Sequence, residues 1–370
     1  MSDFAPAAGD GLSALLGHLV EVRGSDLYLK AGSSPRVRID GRLEPTPFTA
    51  PEPAALDHLV RALLPAGRDE ELASTGAVDF AVGVSGVGRF RIHVYRQRGT
   101  FAVVIRQVVP GIPAWDKLGL PPIVERLAAE GSGLVLIAGP AGSGKTTTLN
   151  ALVDHLNEHR AVQIVTVEDP IEHLHADKLA MVSQLEVGSD TPSMAEGLRR
   201  VQRQAPDVVA ASAINDLESL QAALSAVDSG QLVVATVATT SATDTVARLV
   251  ERFPPHLQDQ ARNQLAASLR AVLSQRLLER ADGRGRVAAV EILVSTSKVV
   301  DCLRQPGGEA GIPQLIADGR YHGMQSFDLA LFGLCREGLV SLRDALAAAT
   351  DPEELRLELQ HAGLGAVHTG

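Results

Sequence analysis

The sequence predicts an α/β protein with two domains, a small amino-terminal one on an antiparallel sheet and a larger one on a mostly parallel sheet. Three observations predict it. From residue 120 onward, apolar runs at 133–138, 162–167, 207–211 and 232–236 alternate with helical segments and glycine-rich turns. That is the order of parallel strands covered by helices on both faces. Before residue 109 the rhythm is different, with short half-buried strand patterns separated by closely spaced turns. The length of 370 residues, 45% hydrophobic and 21% charged, is ordinary globular material for two or three domains.

The first domain, 1–109, opens with a helix over 12–22, where Leu12, Leu15, Leu16, Leu19 and Val20 fall on one side. Leu27-Tyr-Leu-Lys30 leads into the turn cluster Gly32-Ser-Ser-Pro35, and Arg36-Val-Arg-Ile-Asp-Gly41 alternates like a half-buried strand ending in a turn. Residues 54–64 read as a helix, and Asp79-Phe-Ala-Val-Gly83, 88–96 and 100–108 as further strands. Pro110-Gly-Ile-Pro113 breaks both patterns and marks a linker over 110–117. The larger domain spans 118–311. After about Pro313 the pattern is helical, clearest at 326–337 and 342–349, giving a helical carboxy-terminal region over 312–370 with a loose tail from 361. There is no internal repeat.

Several function classes are disfavoured. A formal net charge of −10 argues against a general nucleic-acid or membrane-surface binder, since both want a basic face. The longest apolar runs are strand-sized and too short to span a bilayer. Met1-Ser-Asp-Phe-Ala-Pro6 lacks the basic region and apolar core of a secretory signal, and Cys302 and Cys335 make neither a disulfide framework nor a metal cluster. The cytosol is the expected compartment.

The strongest motif is Gly139-Pro-Ala-Gly-Ser-Gly-Lys145-Thr146, a gapless match to G-x-x-x-x-G-K-[ST]. Its glycines allow backbone N–H groups to turn toward phosphate oxygens, and the helix that follows offers its positive end. Lys145 would reach the β- and γ-phosphates, and the Thr146 hydroxyl would ligate Mg²⁺. A glycine turn that merely joins a strand to a helix is the plainer alternative. The required context is present, however: Leu134-Val-Leu-Ile-Ala138 before the motif and a helical Thr147-Thr-Leu-Asn-Ala-Leu-Val-Asp154 after it. Gly139, Ala141, Gly142, Ser143, Gly144, Lys145, Thr146 and Thr147 are therefore the candidate ATP site of a RecA-like P-loop NTPase core.

Nearly the whole chain resembles the PilT/PilU-type pilus retraction ATPases of the secretion ATPase superfamily. The resemblance runs through Ser25-Asp-Leu-Tyr-Leu29, Pro35-Arg-Val-Arg-Ile-Asp-Gly41, Gly88-Arg-Phe-Arg91 and Gln97-Arg-Gly99 in the first domain. It continues through the phosphate loop, Val167-Glu-Asp-Pro-Ile-Glu172, Pro206-Asp-Val-Val209, Arg252-Phe-Pro254, Ser268-Leu-Arg-Ala-Val-Leu-Ser-Gln275 and Gly323-Met-Gln-Ser-Phe-Asp328. It implies a PAS-like first domain and a hexameric ring of two-domain subunits that use ATP and Mg²⁺. It also implies a cytoplasmic place below the inner-membrane platform protein of a type IV pilus; a regulatory subunit would add an active PilT-type paralogue as a partner. By position, Glu168 falls in the segment called the Asp box and would position water or Mg²⁺, although carboxylates after a strand are often simply solvated. Arg98 and Arg106 match arginines that act as charge-stabilising fingers, for which a planar, always-charged guanidinium is suited. An Arg on an exposed strand is otherwise just a soluble face.

The departures from the family pattern fall on catalytic elements. The family's Walker B strand ends Gly-Glu; here Ser212 and Ala213 stand at those places, in Pro206-Asp-Val-Val-Ala-Ala-Ser-Ala-Ile-Asn-Asp216. Asp207 is too far back to serve instead. Asn215 and Leu185 stand where the family has Arg, Gln231 and Ala238 where it has His, and Val300 where it has another Arg. Loss of a positioned acid–base group costs about 10²–10⁴-fold in rate. The expectation is ATP binding with impaired hydrolysis and a regulatory or accessory role in pilus retraction. The alternative is an active retraction ATPase in which Glu172 or Asp216 supplies the missing carboxylate. An assembly-type secretion ATPase fits least, because two cysteines cannot make the four-cysteine zinc motif usual there.

Overall fold

Leu12, Leu16 and Leu19 recur at helical spacing and are buried along one side of α1 (Asp10–Glu21). The computed structural model describes residues 10–39, 42–65, 67–84, 86–108, 112 and 114–364. The Asp40-Gly41 turn, most of the Pro110–Pro113 break, the Met1–Pro6 start and the last six residues of the tail lie outside the described residues. The chain forms two compact units, one of Met1–Gly111 with Glu172–Leu174 and one of Ile112–Ile171 with His175–Gly370.

In the first unit α1 is followed by β1 (Asp26–Lys30), β2 (Ser33–Ile39), β3 (Arg42–Pro45), α2 (Pro53–Leu63), α3 (Asp69–Thr75), β4 (Ala77–Val84), β5 (Gly88–Gln97) and β6 (Thr100–Val108). The strands form one antiparallel sheet in the order β3-β2-β1-β6-β5-β4. Alternate residues such as Leu27, Leu29, Phe90, Ile92 and Val94 point to one face and bury against Leu16, Leu19, Leu56 and Val60 of the two longer helices. The sequence reading passes over β3 and α3. All four residues of β3 are exposed, so no alternation marks it, and α3 has only seven residues.

The second unit runs α4 (Ile123–Ala128), β7 (Gly133–Ala138), α5 (Lys145–His159), β8 (Gln163–Glu168), β9 (Met181–Glu186), α6 (Met194–Val201), β10 (Val208–Ala211), α7 (Leu217–Asp228), β11 (Leu232–Val237), α8 (Ala242–Glu251), α9 (Gln258–Ser268), β12 (Leu269–Glu279) and β13 (Arg286–Val294). Helices α10 (Ser297–Arg304), α11 (Ile312–Asp318), α12 (Phe327–Arg336), α13 (Leu342–Ala348) and α14 (Pro352–His361) complete it. The sheet order is β13-β12-β7-β11-β10-β8-β9, parallel throughout except for β13. The four expected strands are its centre, and β9, β12 and β13 extend it.

Both faces of the central strands are buried. Leu134, Leu136, Val209 and Val233 pack under Leu198, Leu220, Val246 and Leu265, while Val135, Ile137, Ile164 and Val234 pack under Val124, Leu149 and Leu152. Each such side chain contributes about 1.5–3 kcal/mol by leaving water, which is why these runs read as continuous rather than alternating. Helices α12–α14 pack Phe327, Leu331 and Leu355 against Leu278 and Ala289 at the β12–β13 edge. Among the described residues no helix is long and apolar enough to cross a membrane.

Candidate functional site

Because β7, β11, β10 and β8 are parallel neighbours, the turns that leave their carboxyl ends share one edge of the sheet, the usual ligand edge of such folds. Gly139, Gly142 and Gly144 carry φ angles of +156°, +78° and +90°, where side chains are strained. A Cβ on Gly139 would stand 2.2 Å from Ser143 Oγ and 2.8 Å from the Gln275 carbonyl oxygen, so a larger residue forces the loop open. Gly144 caps α5, whose first turn holds Lys145, Thr146 and Thr147. Free N–H groups and the positive end of a 15-residue helix therefore face the loop.

The side chains agree with that geometry. Lys145 Nζ donates to the Gly139 and Pro140 carbonyls at 2.7 and 2.8 Å, so its ammonium is drawn over the loop, and burial pulls its pKa down. Ser143 is buried and its Oγ has no hydrogen-bond partner among the described residues. Ala141 and Gly142 are exposed on the loop's outer side. Thr148 Oγ1 accepts from Gln275 Nε2 at 2.8 Å, which fixes α5 to β12 underneath.

Glu168 ends β8 and is 2% exposed. Thr166 Oγ1 and Gln184 Nε2 donate to its Oε1 at 2.6 and 2.8 Å. By strand alternation it shares a face with Thr166 and Ile164, the face that α5 covers. It is thus a held, buried group rather than a solvated loop carboxylate.

The end of β10 is bonded throughout but carries no acid. Ser212 N–H donates to Val167 O, its Oγ accepts from Asp169 N–H at 2.8 Å, and Thr236 Oγ1 donates to its carbonyl. Ala213 is half-buried and Asn215 exposed. Asp216 caps α7 by accepting from Ser219 N–H at 2.7 Å, in a full capping box. Asp207 accepts from Gln163 N–H at the opposite end of the strand. Gln231 and Ala238 flank β11 at its two ends, about 23 Å apart at 3.3 Å per residue. Only Ala238 of the pair therefore stands at the edge that carries the 139–144 loop.

Arg98 and Arg106 belong to the first unit. Arg98 shares the two-residue turn between β5 and β6 with Gly99; its φ is +48°, it is exposed, and it makes no ion pair among the described residues. Arg106 donates Nε to the buried Asp26 at 2.7 Å across the β1–β6 pair while its side chain stays two-thirds exposed.

A family described as type II/IV secretion system protein matches residues 118–322. The chain belongs to that family. Among its relatives, the type IV pilus ATPase PilU of Pseudomonas aeruginosa is 33% identical over 94% of this chain and 90% of PilU. The type IV pilus retraction ATPase PilT of the same organism is 35% identical over 92% of this chain and 99% of its own length. A crystal structure of the pilus retraction motor PilT with bound ADP superposes with a TM-score of 0.82 at 38% identity, covering 91% of this chain and 96% of that one. The chain is a PilT/PilU-type member of the secretion ATPase family, with the α/β RecA-like core that the phosphate loop predicts.

Within this secretion ATPase, the structure adds residues that the motifs do not mark. Asn150, His175 and Gln184 are polar groups drawn into contact at the α5–β8–β9 face. Gln184 lies beside Leu185, one of the departures named above, but Asn150 and His175 are 25 residues apart and only the fold pairs them.

Proposed function

We propose that the chain is an ATP-binding subunit of a type IV pilus retraction machine, acting in a hexameric ring with weak or absent hydrolysis of its own and an accessory or regulatory role. One observation carries this reading: an undamaged phosphate loop stands at the same sheet edge as a strand end, Ser212-Ala213, that has no acid. Backbone N–H groups of Ala141, Gly142 and Gly144, together with Lys145 and the first turn of α5, would hold the phosphates. Among the described residues no group of three His, Cys, Asp or Glu could hold a metal alone, so Mg²⁺ would be held by Thr146 together with the phosphates. When bound, Mg²⁺ neutralises charge on the phosphoryl oxygens. Glu168, fixed on the α5 face, is the remaining group that would orient water or metal.

Ala213 cannot accept a proton, and Asp216 already serves as a helix cap. Arg98 and Arg106 would lend charge to a nucleotide from the first domain, Arg106 by exchanging Asp26 for phosphate. The domain limits 1–109, 110–117, 118–311 and 312–370, a site at the cytoplasmic face of the inner membrane, and contacts with a platform protein and an active PilT-type paralogue complete the proposal. Light scattering of the full chain with and without ATP, beside pull-down with a PilT-type ATPase, tests it. A mass of six subunits and joint purification are expected; a monomer that binds neither ATP nor the paralogue contradicts it.

A further inference from the structure

An asparagine inside a helix must have its amide satisfied, or burial costs more than the helix gains. Asn150 of α5 is 3% exposed and donates Nδ2 to the Thr146 carbonyl, one turn earlier, at 2.9 Å. A carbonyl only accepts, so this bond sets the amide's orientation and turns Oδ1 toward His175 Nε2, 3.0 Å away. That ring nitrogen must then be the donor. The backbone N–H of the same His175 donates to Gln184 Oε1 at 2.9 Å, which sets the second amide. Gln184 Nε2 is left facing Glu168 and donates to Oε1 at 2.8 Å. Two groups with no choice of role, Thr146 O and His175 N–H, thus set the Asn150 and Gln184 amides that lie between the phosphate loop and Glu168.

The segment that carries His175 is held on α5 a second time, two turns further on. Asn157 is fully buried, donates Nδ2 to Ala176 O at 2.8 Å and accepts at Oδ1 from Lys178 N–H at 3.0 Å. Lys178 Nζ reaches Asp154 at 2.9 Å and Glu158 at 2.7 Å. Asn150, Asp154, Asn157 and Glu158 follow helical spacing, so one polar stripe of α5 carries the whole stretch. A helix that begins at the phosphate loop is thereby tied, through side chains, to the strand end bearing Glu168.

We propose that Asn150, His175 and Gln184 are positioning residues that hold Glu168 in fixed register with Thr146, so that the metal-bound nucleotide and the carboxylate act as one unit. The inference rests on reading 139–147 as the nucleotide site and extends that reading to how Glu168 is held. A network that only stabilised the fold would not discriminate metal-bound from metal-free nucleotide.

The test uses the full chain and its Glu168→Gln, Gln184→Leu, His175→Leu and His175→Gln variants. Dissociation constants are measured for ADP in EDTA and for ATP with Mg²⁺, together with thermal unfolding. Removing groups that orient a metal site costs about 10–100-fold in metal affinity. Glu168→Gln, Gln184→Leu and His175→Leu should weaken Mg²⁺–ATP binding by about tenfold or more, while metal-free ADP affinity stays within about twofold. His175→Gln, whose amide N–H can stand where Nε2–H does, should restore most of the loss. If both affinities fall together, if Mg²⁺–ATP binding is unchanged, or if His175→Gln is no better than His175→Leu, the network is structural and the inference is overturned. If the parent fails to bind metal-free ADP, the nucleotide-site reading itself fails, and the inference falls with it.

Discussion

After β7 the chain passes through 139–144 with every residue of a phosphate loop in place, while after β10, two strands along the same sheet, it passes through Ser212 and Ala213 with no acid. The two turns differ in what they are made to do. The loop after β7 offers backbone N–H groups, three glycines of positive φ and one ammonium, the groups that the proposed phosphate binding would use. The turn after β10 is where the family's acid would stand. Its local order is nevertheless complete, since Ser212 bonds Val167, Asp169 and Thr236. In the proposed reading, binding and hydrolysis would sit on separate strand ends, so that one could be lost while the fold and the other remain.

The largest effect expected from that comparison is at Ala213. Restoring the acid with Ala213→Glu should raise ATP turnover by about 100-fold or more, measured by phosphate release, since a positioned acid–base group contributes about 10²–10⁴-fold. No rise would mean that the turn after β10 is not the element that limits hydrolysis. Next is Lys145→Ala. Losing a charged hydrogen-bonding partner of about 1.5–3 kcal/mol should weaken ATP binding by roughly 10–100-fold in calorimetry.

Asp216→Ala sharpens the comparison from the other side. Removing an N-cap should cost about 1 kcal/mol of stability by denaturant unfolding and leave turnover unaltered. If turnover disappears instead, Asp216 is the replacement acid and the contrast between the two turns breaks.

The smallest effect concerns Glu291 on β13, beside Ser274 and bonded to Ala242 N–H at 2.7 Å. Burial raises its pKa above the usual carboxylate range. A raised carboxyl pKa gives stability that is fully present below the unfolded value and lost as pH rises through the folded one. Glu291→Gln removes that loss, so its melting temperature should gain on the parent as pH rises above the ordinary carboxylate pKa. A gap that narrows with rising pH would contradict this sign.

How much of this was legible in the sequence depended on whether a signal was local. The strands β7, β8, β10 and β11 show as apolar runs because both their faces are buried, and the phosphate loop shows because its glycines and Lys145 are contiguous. Strand β9 is hidden because it is an edge, with Met181 exposed and Ser183 and Gln184 in its middle. Strand β12 is hidden because it follows α9 without an intervening turn residue. Ala213 and Ser212 were visible as departures from a family pattern, but the capping bond that occupies Asp216 was not. His175 reads as an isolated histidine until α5 brings Asn150 to it. Arg106 likewise shows no partner in sequence, since Asp26 lies 80 residues away.

Steady-state ATP hydrolysis by the purified chain beside Lys145→Ala, with ATP binding followed on the same samples, tests the central claim most directly. The account predicts that the parent binds ATP and turns it over little faster than Lys145→Ala. Clear turnover that Lys145→Ala abolishes would contradict it, and would mean that another carboxylate does the work Ala213 cannot.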